Sequence, residues 1–126
     1  MGTNFVYTGI RVKNLDISIY FYTELLGMEL IHRTKIAETG GEIAVLKSSK
    51  GNNILELNFY PENSKFYKSY TAGEELDHLG FEVDNIEKTL ETLGKHGIKP
   101  ILEVKSDTAR WIYIQDPNGI WIELYE

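Results

Sequence analysis

The chain has no cysteine, which excludes disulfides, thiolate metal sites and cysteine nucleophiles together. Any metal must then sit on oxygen and imidazole donors. No apolar run approaches the length of a membrane span, so a membrane partner is not expected, and the hydrophobic share of 42% is that of a globular domain. Basic residues are in deficit. Against 19 Asp and Glu stand 13 Lys and Arg, a formal net charge of −6 with no basic cluster to offset it, which argues against nucleic acid as a partner. The residues Met1 to Val12 lack the basic patch and apolar segment of a signal peptide, so the expected location is the cytoplasm.

What is present is patterned. At the end of the chain, DPNGIWIELYE (Asp116 to Glu126) joins a tight turn to an alternating strand. Ile120, Ile122 and Leu124 share one face, and Trp121, Glu123 and Tyr125 share the other. The first is a core face. The second, a carboxylate between two aromatic rings, suits the wall of a binding site, although a single Glu on a strand is more often simply solvated.

Earlier in the chain, the run from Asn4 to Val12 reads as a strand, and Asn14 caps an amphipathic helix that Gly27 ends. Three short strands are expected at Met28 to Lys35, Glu42 to Lys47 and Asn53 to Tyr60. Residues 61–75 are polar and unpatterned and read as a linker. The order then restarts: strand Leu76 to Val83, helix Ile86 to His96, and strands near 98–104, 109–115 and 120–125. Residue types repeat as well. IRVKNLD from Ile10 overlays FEVDNIE from Phe81, and ILEL from Ile54 overlays WIEL from Trp121. The expectation is one α+β domain, residues 1–126, of two tandem βαβββ modules (4–60 and 76–126) whose curved mixed sheets enclose a cavity.

The two overlays make Tyr7 the repeat partner of His78, and Glu56 that of Glu123. All four lie on the strand phase opposite the apolar set. Two carboxylates and an imidazole from separate strands form a donor set for a divalent cation such as Zn, Ni, Co, Mn or Fe. Each residue taken singly has a blander reading, with His78 hydrogen-bonded and Tyr7 as pocket wall. Together they point to a metal site. His32 and His96 fall outside the overlay and are read as surface residues.

Through IRVKNLDISIYFYTELLGMEL, ILEL, LDHLGFEV and QDPNGIWIELYE, the chain resembles the vicinal oxygen chelate superfamily of glyoxalases, bleomycin-resistance proteins and dioxygenases. It is most similar to the short bacterial lactoylglutathione lyases (glyoxalase I). The resemblance implies that Glu56, His78 and Glu123 are metal ligands. Tyr7 occupies the position of a fourth ligand that is His or Gln in the lyases. Arg11 matches an arginine that holds a glutathione carboxylate, and Tyr60 replaces an asparagine that contacts glutathione. The implied reaction is a metal-dependent isomerisation of a small α-oxo or α-hydroxy carbonyl substrate through an enediolate, with Glu123 as base and Glu56 as ligand or its partner. A homodimer is implied too. The alternative within the superfamily is a metal-free binding protein that sequesters an aromatic or amphipathic molecule, for which Trp111, Tyr113, Trp121, Tyr125 and Tyr60 are suited. An extradiol-type dioxygenase needs a second His in position, which the chain lacks.

Overall fold

The computed structural model describes residues 2, 6–74, 76–105, 107 and 110–126. The chain divides into two compact units, Met1–Tyr70 and Thr71–Glu126.

The first unit runs β1 (Thr8–Arg11), α1 (Leu15–Tyr20), a π-helical continuation (Phe21–Leu25), β2 (Glu29–Ile36), β3 (Gly41–Lys47) and β4 (Ile54–Phe59). Its four-stranded sheet has the order β1-β4-β3-β2. β1 lies parallel to β4, and the other pairs are antiparallel. The second unit repeats this with β5 (His78–Glu82), α2 (Ile86–Lys95), β6 (Leu102–Lys105), β7 (Arg110–Gln115) and β8 (Trp121–Tyr125), in the order β5-β8-β7-β6. Two βαβββ modules of an α+β protein are therefore present.

Local chemistry explains the repeat. Asn14 Oδ1 accepts the N–H of Ile17 at 2.9 Å, and Asn85 Oδ1 accepts that of Lys88 at 3.0 Å, so both helices start on the same kind of cap. Gly27 and Gly97 end the two helical segments with φ of 78° and 76°, a conformation that costs glycine little. Period-two alternation then sends one side of each sheet inward. Leu46, Leu57 and Ala44 are fully buried in the first unit, where α1 packs on β3 and β4, and Ile112, Ile114, Ile122 and Leu124 are fully buried in the second. Truncating one of these leucines or isoleucines to alanine costs about 2–5 kcal/mol.

Each module also ties its helix to its sheet through one arginine. Arg33 on β2 bonds Asp16 of α1 at 2.7 Å and Glu42 of β3 at 2.8 Å. These partners raise the Arg33 guanidinium above its ordinary value, and Arg33 holds the Glu42 carboxyl below its own. In the second module Arg110 on β7 reaches Glu87 of α2 and, at 2.8 Å, Glu103 of β6. The signs on the two strands are exchanged between modules.

Three expectations need correction. The first strand begins at Thr8, so Tyr7 precedes it, and Asn4 and Phe5 lie outside the described residues. The first helix is not uniform: the Leu26 N–H bonds the Phe21 carbonyl at 3.1 Å, and Thr23 Oγ1 donates to the Ile19 carbonyl at 2.7 Å, a side-chain competitor of the regular ladder. Within the segment read as a linker, residues 61–70 belong to the first unit, anchored where Ser64 Oγ donates to the Thr39 carbonyl. No helix among the described residues is long and apolar enough to cross a membrane.

Candidate functional site

In the second unit the turn at Asp116 fixes the register of β7 against β8. Asp116 Oδ1 accepts the N–H groups of Asn118 and Ile120, each at 2.8 Å, and Gly119 takes φ of 87°. Tyr113 is thereby opposite Glu123, and Gln115 opposite Trp121. On the other side β5 runs parallel to β8, with His78 beside Trp121 and Gly80 beside Glu123. Residues paired across strands share a face, so His78, Gly80, Tyr113, Trp121 and Glu123 all project from the side opposite the core.

Contacts among these residues are specific. The Tyr113 hydroxyl donates to Glu123 Oε1 at 2.7 Å. That acceptor raises the Tyr113 phenol above its ordinary value, with desolvation acting in the same direction. The Tyr113 ring meets the His78 ring edge-on at 5.8 Å and the Trp121 ring at 5.6 Å. Nδ1 of His78 lies 2.7 Å from Asp77 Oδ2. A carboxylate on Nδ1 favours the tautomer that leaves Nε2 as the donor atom, the usual arrangement behind a metal-binding histidine. Trp111 is half-buried on the same face, opposite Tyr125.

The first unit holds the remaining candidates. Glu56 is half-buried on β4, with Gly9 of β1 on one side and Val45 of β3 on the other. Tyr7 is 49% exposed and stands outside β1. At the end of β1 the Arg11 guanidinium lies 4.8 Å over the Tyr60 ring, and its Nη1 donates to the Phe66 carbonyl at 2.7 Å. Arg11 and Tyr60 open onto a cleft of about 260 Å³ lined also by Lys13, Tyr67, Lys68 and Tyr70. The Lys13 ammonium lies 5.7 Å over the Tyr70 ring.

The structure thus brings His78, Tyr113, Trp121 and Glu123 together in one unit, and Arg11 with Tyr60 in the other. Among the described residues no three His, Asp or Glu side chains of the chain gather closely enough to hold a metal ion. His32 and His96 are exposed. Sequence reasoning missed Asp77, Gly80, Lys13 and Tyr70. The first two were within reach, since Asp77 adjoins His78 in LDHLG and Gly80 shares its strand phase. Lys13 and Tyr70 meet only through the fold.

A model of the Glyoxalase/Bleomycin resistance protein/Dioxygenase superfamily matches residues 4–124. A probable lactoylglutathione lyase of Vibrio cholerae is 31% identical over 96% of this chain and 88% of its own length. The lactoylglutathione lyase of Schizosaccharomyces pombe is also 31% identical, over 94% of this chain, which spans only 45% of that protein. Among solved structures, the trypanothione-dependent glyoxalase I of Leishmania major superposes with a TM-score of 0.80 at 27% identity, covering 99% of this chain and 87% of that one.

Proposed function

Because the chain belongs to the Glyoxalase/Bleomycin resistance protein/Dioxygenase superfamily, we propose that it is a divalent-metal-dependent lyase or isomerase of the lactoylglutathione lyase type, acting on a small α-oxo or α-hydroxy carbonyl compound. The observation that carries this reading is the His78–Glu123 pair, in which each side chain is held from behind, by Asp77 and Tyr113 respectively. An imidazole and a carboxylate on one sheet face, each with a supporting hydrogen bond, fit an oxygen-and-nitrogen donor set for Zn, Ni, Co or Mn. Glu56, on the equivalent strand of the first module, and Tyr7 are the further ligands that this reading calls for. A homodimer in the cytoplasm is the working form.

When bound, the cation supplies Lewis acidity toward two adjacent substrate oxygens. The chain does the rest. Glu123 takes the proton from one substrate carbon and returns it to the neighbouring one, while Glu56 stands as ligand or as its partner on the opposite face. Trp111 and Trp121 cover the reacting carbons with apolar surface. Arg11, with Lys13 beside it in the cleft, is the group that this reading assigns to a substrate carboxylate, and the Tyr60 ring lies against the Arg11 guanidinium. This makes the thiol adduct of methylglyoxal with glutathione the first substrate to assay.

The test joins elemental analysis of protein purified without added metal to an assay of that adduct, for the parent and for Tyr7→His. Bound metal and turnover support the proposal. Metal without turnover in either protein removes the lyase activity, and absence of both favours the second reading, a metal-free protein that sequesters an aromatic molecule. One observation favours that second reading: Trp121 and Tyr125 are 40% and 38% exposed on the open face of their sheet. Under it, Glu123→Gln leaves ligand affinity unchanged.

A further inference from the structure

The two modules place a glutamate at the same point of their last strand and surround it differently. Glu56 has Gly9 on one side and Val45 on the other, whereas Glu123 has Gly80 and Tyr113. Valine offers a carboxylate nothing. The Tyr113 hydroxyl instead engages Oε1 at 2.7 Å, and its ring is held between His78 at 5.8 Å and Trp121 at 5.6 Å, so the aim of that hydroxyl is set by packing. On the opposite side is Gly80. Its φ is not positive, so no turn requires glycine there, and a Cβ built at that position would come 3.8 Å from Glu123 Oε2. One carboxylate oxygen is engaged, and the other lies over a residue that has no side chain.

We infer that Tyr113 is a positioning residue which commits Oε1 of Glu123, while Gly80 opens the approach to Oε2, so that the site uses Glu123 through that single oxygen. This rests on the metal-site reading of Glu123 proposed above and assigns the two glutamates different roles. Glu56 faces Val45, which offers no hydroxyl. Glu123 has a fixed one-oxygen presentation, the property wanted in a group that must meet both a cation and a substrate proton at defined angles. Hydrogen bonds behind a metal ligand orient it, and their loss costs roughly 10–100-fold in metal affinity.

The test uses the 126-residue chain, stripped of metal by dialysis against a chelator and titrated with Co(II), whose visible absorption reports ligand geometry. Parent, Tyr113→Phe and Gly80→Val are compared. Tyr113→Phe keeps the ring between His78 and Trp121 and removes only the hydroxyl. It is expected to bind Co(II) at least about tenfold more weakly and with an altered visible band. Gly80→Val leaves the hydroxyl in place and fills the approach to Oε2, so it too is expected to weaken binding. A second measurement needs no metal: the side-chain carboxyl ¹³C resonance of Glu123, expected to move between metal-free parent and Tyr113→Phe.

If the parent binds Co(II) and Tyr113→Phe binds it with the same affinity and spectrum, the positioning role is overturned while the metal reading stands. If the parent binds no Co(II), the metal reading falls, and the carboxyl resonance decides the remainder. An unmoved resonance removes the role of Tyr113 as well. A moved one retains Tyr113 as the group that orients Glu123.

Discussion

Asp116 and Ile120 are bonded to each other twice, the Ile120 N–H donating to Asp116 Oδ1 at 2.8 Å and the Ile120 carbonyl accepting the Asp116 N–H at 2.8 Å. A third bond, from the Asn118 N–H to the same Oδ1 at 2.8 Å, puts two backbone donors on one buried carboxylate oxygen. Hydrogen bonds to a charged group contribute about 1.5–3 kcal/mol each. Asp116→Ala is therefore expected to lower the unfolding free energy by about 3–6 kcal/mol. Urea unfolding followed by tryptophan fluorescence checks this, and a loss below about 1 kcal/mol would mean the turn is held by other groups.

Gly119 tests the same turn from the other side. Its φ is 87°, and a Cβ there would lie 3.1 Å from the Ala72 Cβ. Gly119→Ala should cost about 1–2 kcal/mol for the backbone alone, with any crowding against Ala72 added. Because the unfolded chain is scarcely altered in exposed surface, the urea midpoint is expected to fall with the slope unchanged.

The Tyr113 phenol is raised by the Glu123 carboxylate that accepts its hydrogen bond, with desolvation and the nearby charges adding to the effect. A raised folded-state value means that the folded protein holds this proton more tightly than the unfolded chain does. The stability that follows is fully present below the ordinary tyrosine value of about 10 and is lost as pH rises through the folded one. Spectrophotometric titration of metal-free protein near 295 nm should show a late-ionising component from Tyr113. That component should vanish in Tyr113→Phe and move toward the ordinary value in Glu123→Gln. A titration unchanged by Glu123→Gln would remove the carboxylate as its cause.

Arg11 should affect substrate binding more than chemistry. Its guanidinium lies over Tyr60 and one of its nitrogens is bonded to the Phe66 carbonyl, so it is held at the cleft of the first unit. Loss of one hydrogen bond to a charged group predicts a KM raised at least about tenfold in Arg11→Ala, with kcat within about twofold of the parent. A fall in kcat with KM unmoved would place Arg11 elsewhere in the mechanism.

Much of this was legible in the sequence. Asn14 and Gly27 marked the ends of the first helix through short-range chemistry that any window reveals, and strand alternation assigned Glu56, His78 and Glu123 to faces. Alternation does not report where a partner strand stops, so β1 was drawn back over Tyr7 although its ladder with β4 begins at Thr8. Nor does a 3.6-residue period register the wider turn after Tyr20, where Thr23 competes for a backbone carbonyl. The segment 61–70 looked like a linker because its aromatic residues have no period of their own. Their partners, Arg11 and Lys13, are far away in sequence. Tyr113 and Glu123 were both singled out for different reasons, and only the register set by Asp116 shows that they touch.

The strand order of each module has a kinetic consequence. β7 and β8 are joined by one short turn, whereas β5 must find β8 across the length of its module, with α2, β6 and β7 intervening. Closing a longer loop costs more chain entropy before any contact rewards it, so the hairpin forms early and β5, which carries His78, docks late. Destabilising substitutions at Ile114 or Ile122 are then expected to slow refolding, while those at Leu79 or Phe81 mainly speed unfolding, as stopped-flow chevrons would show. Glu123 is fixed against Tyr113 before the imidazole arrives beside it, and the last strand to join is also the one whose local opening takes the site apart first.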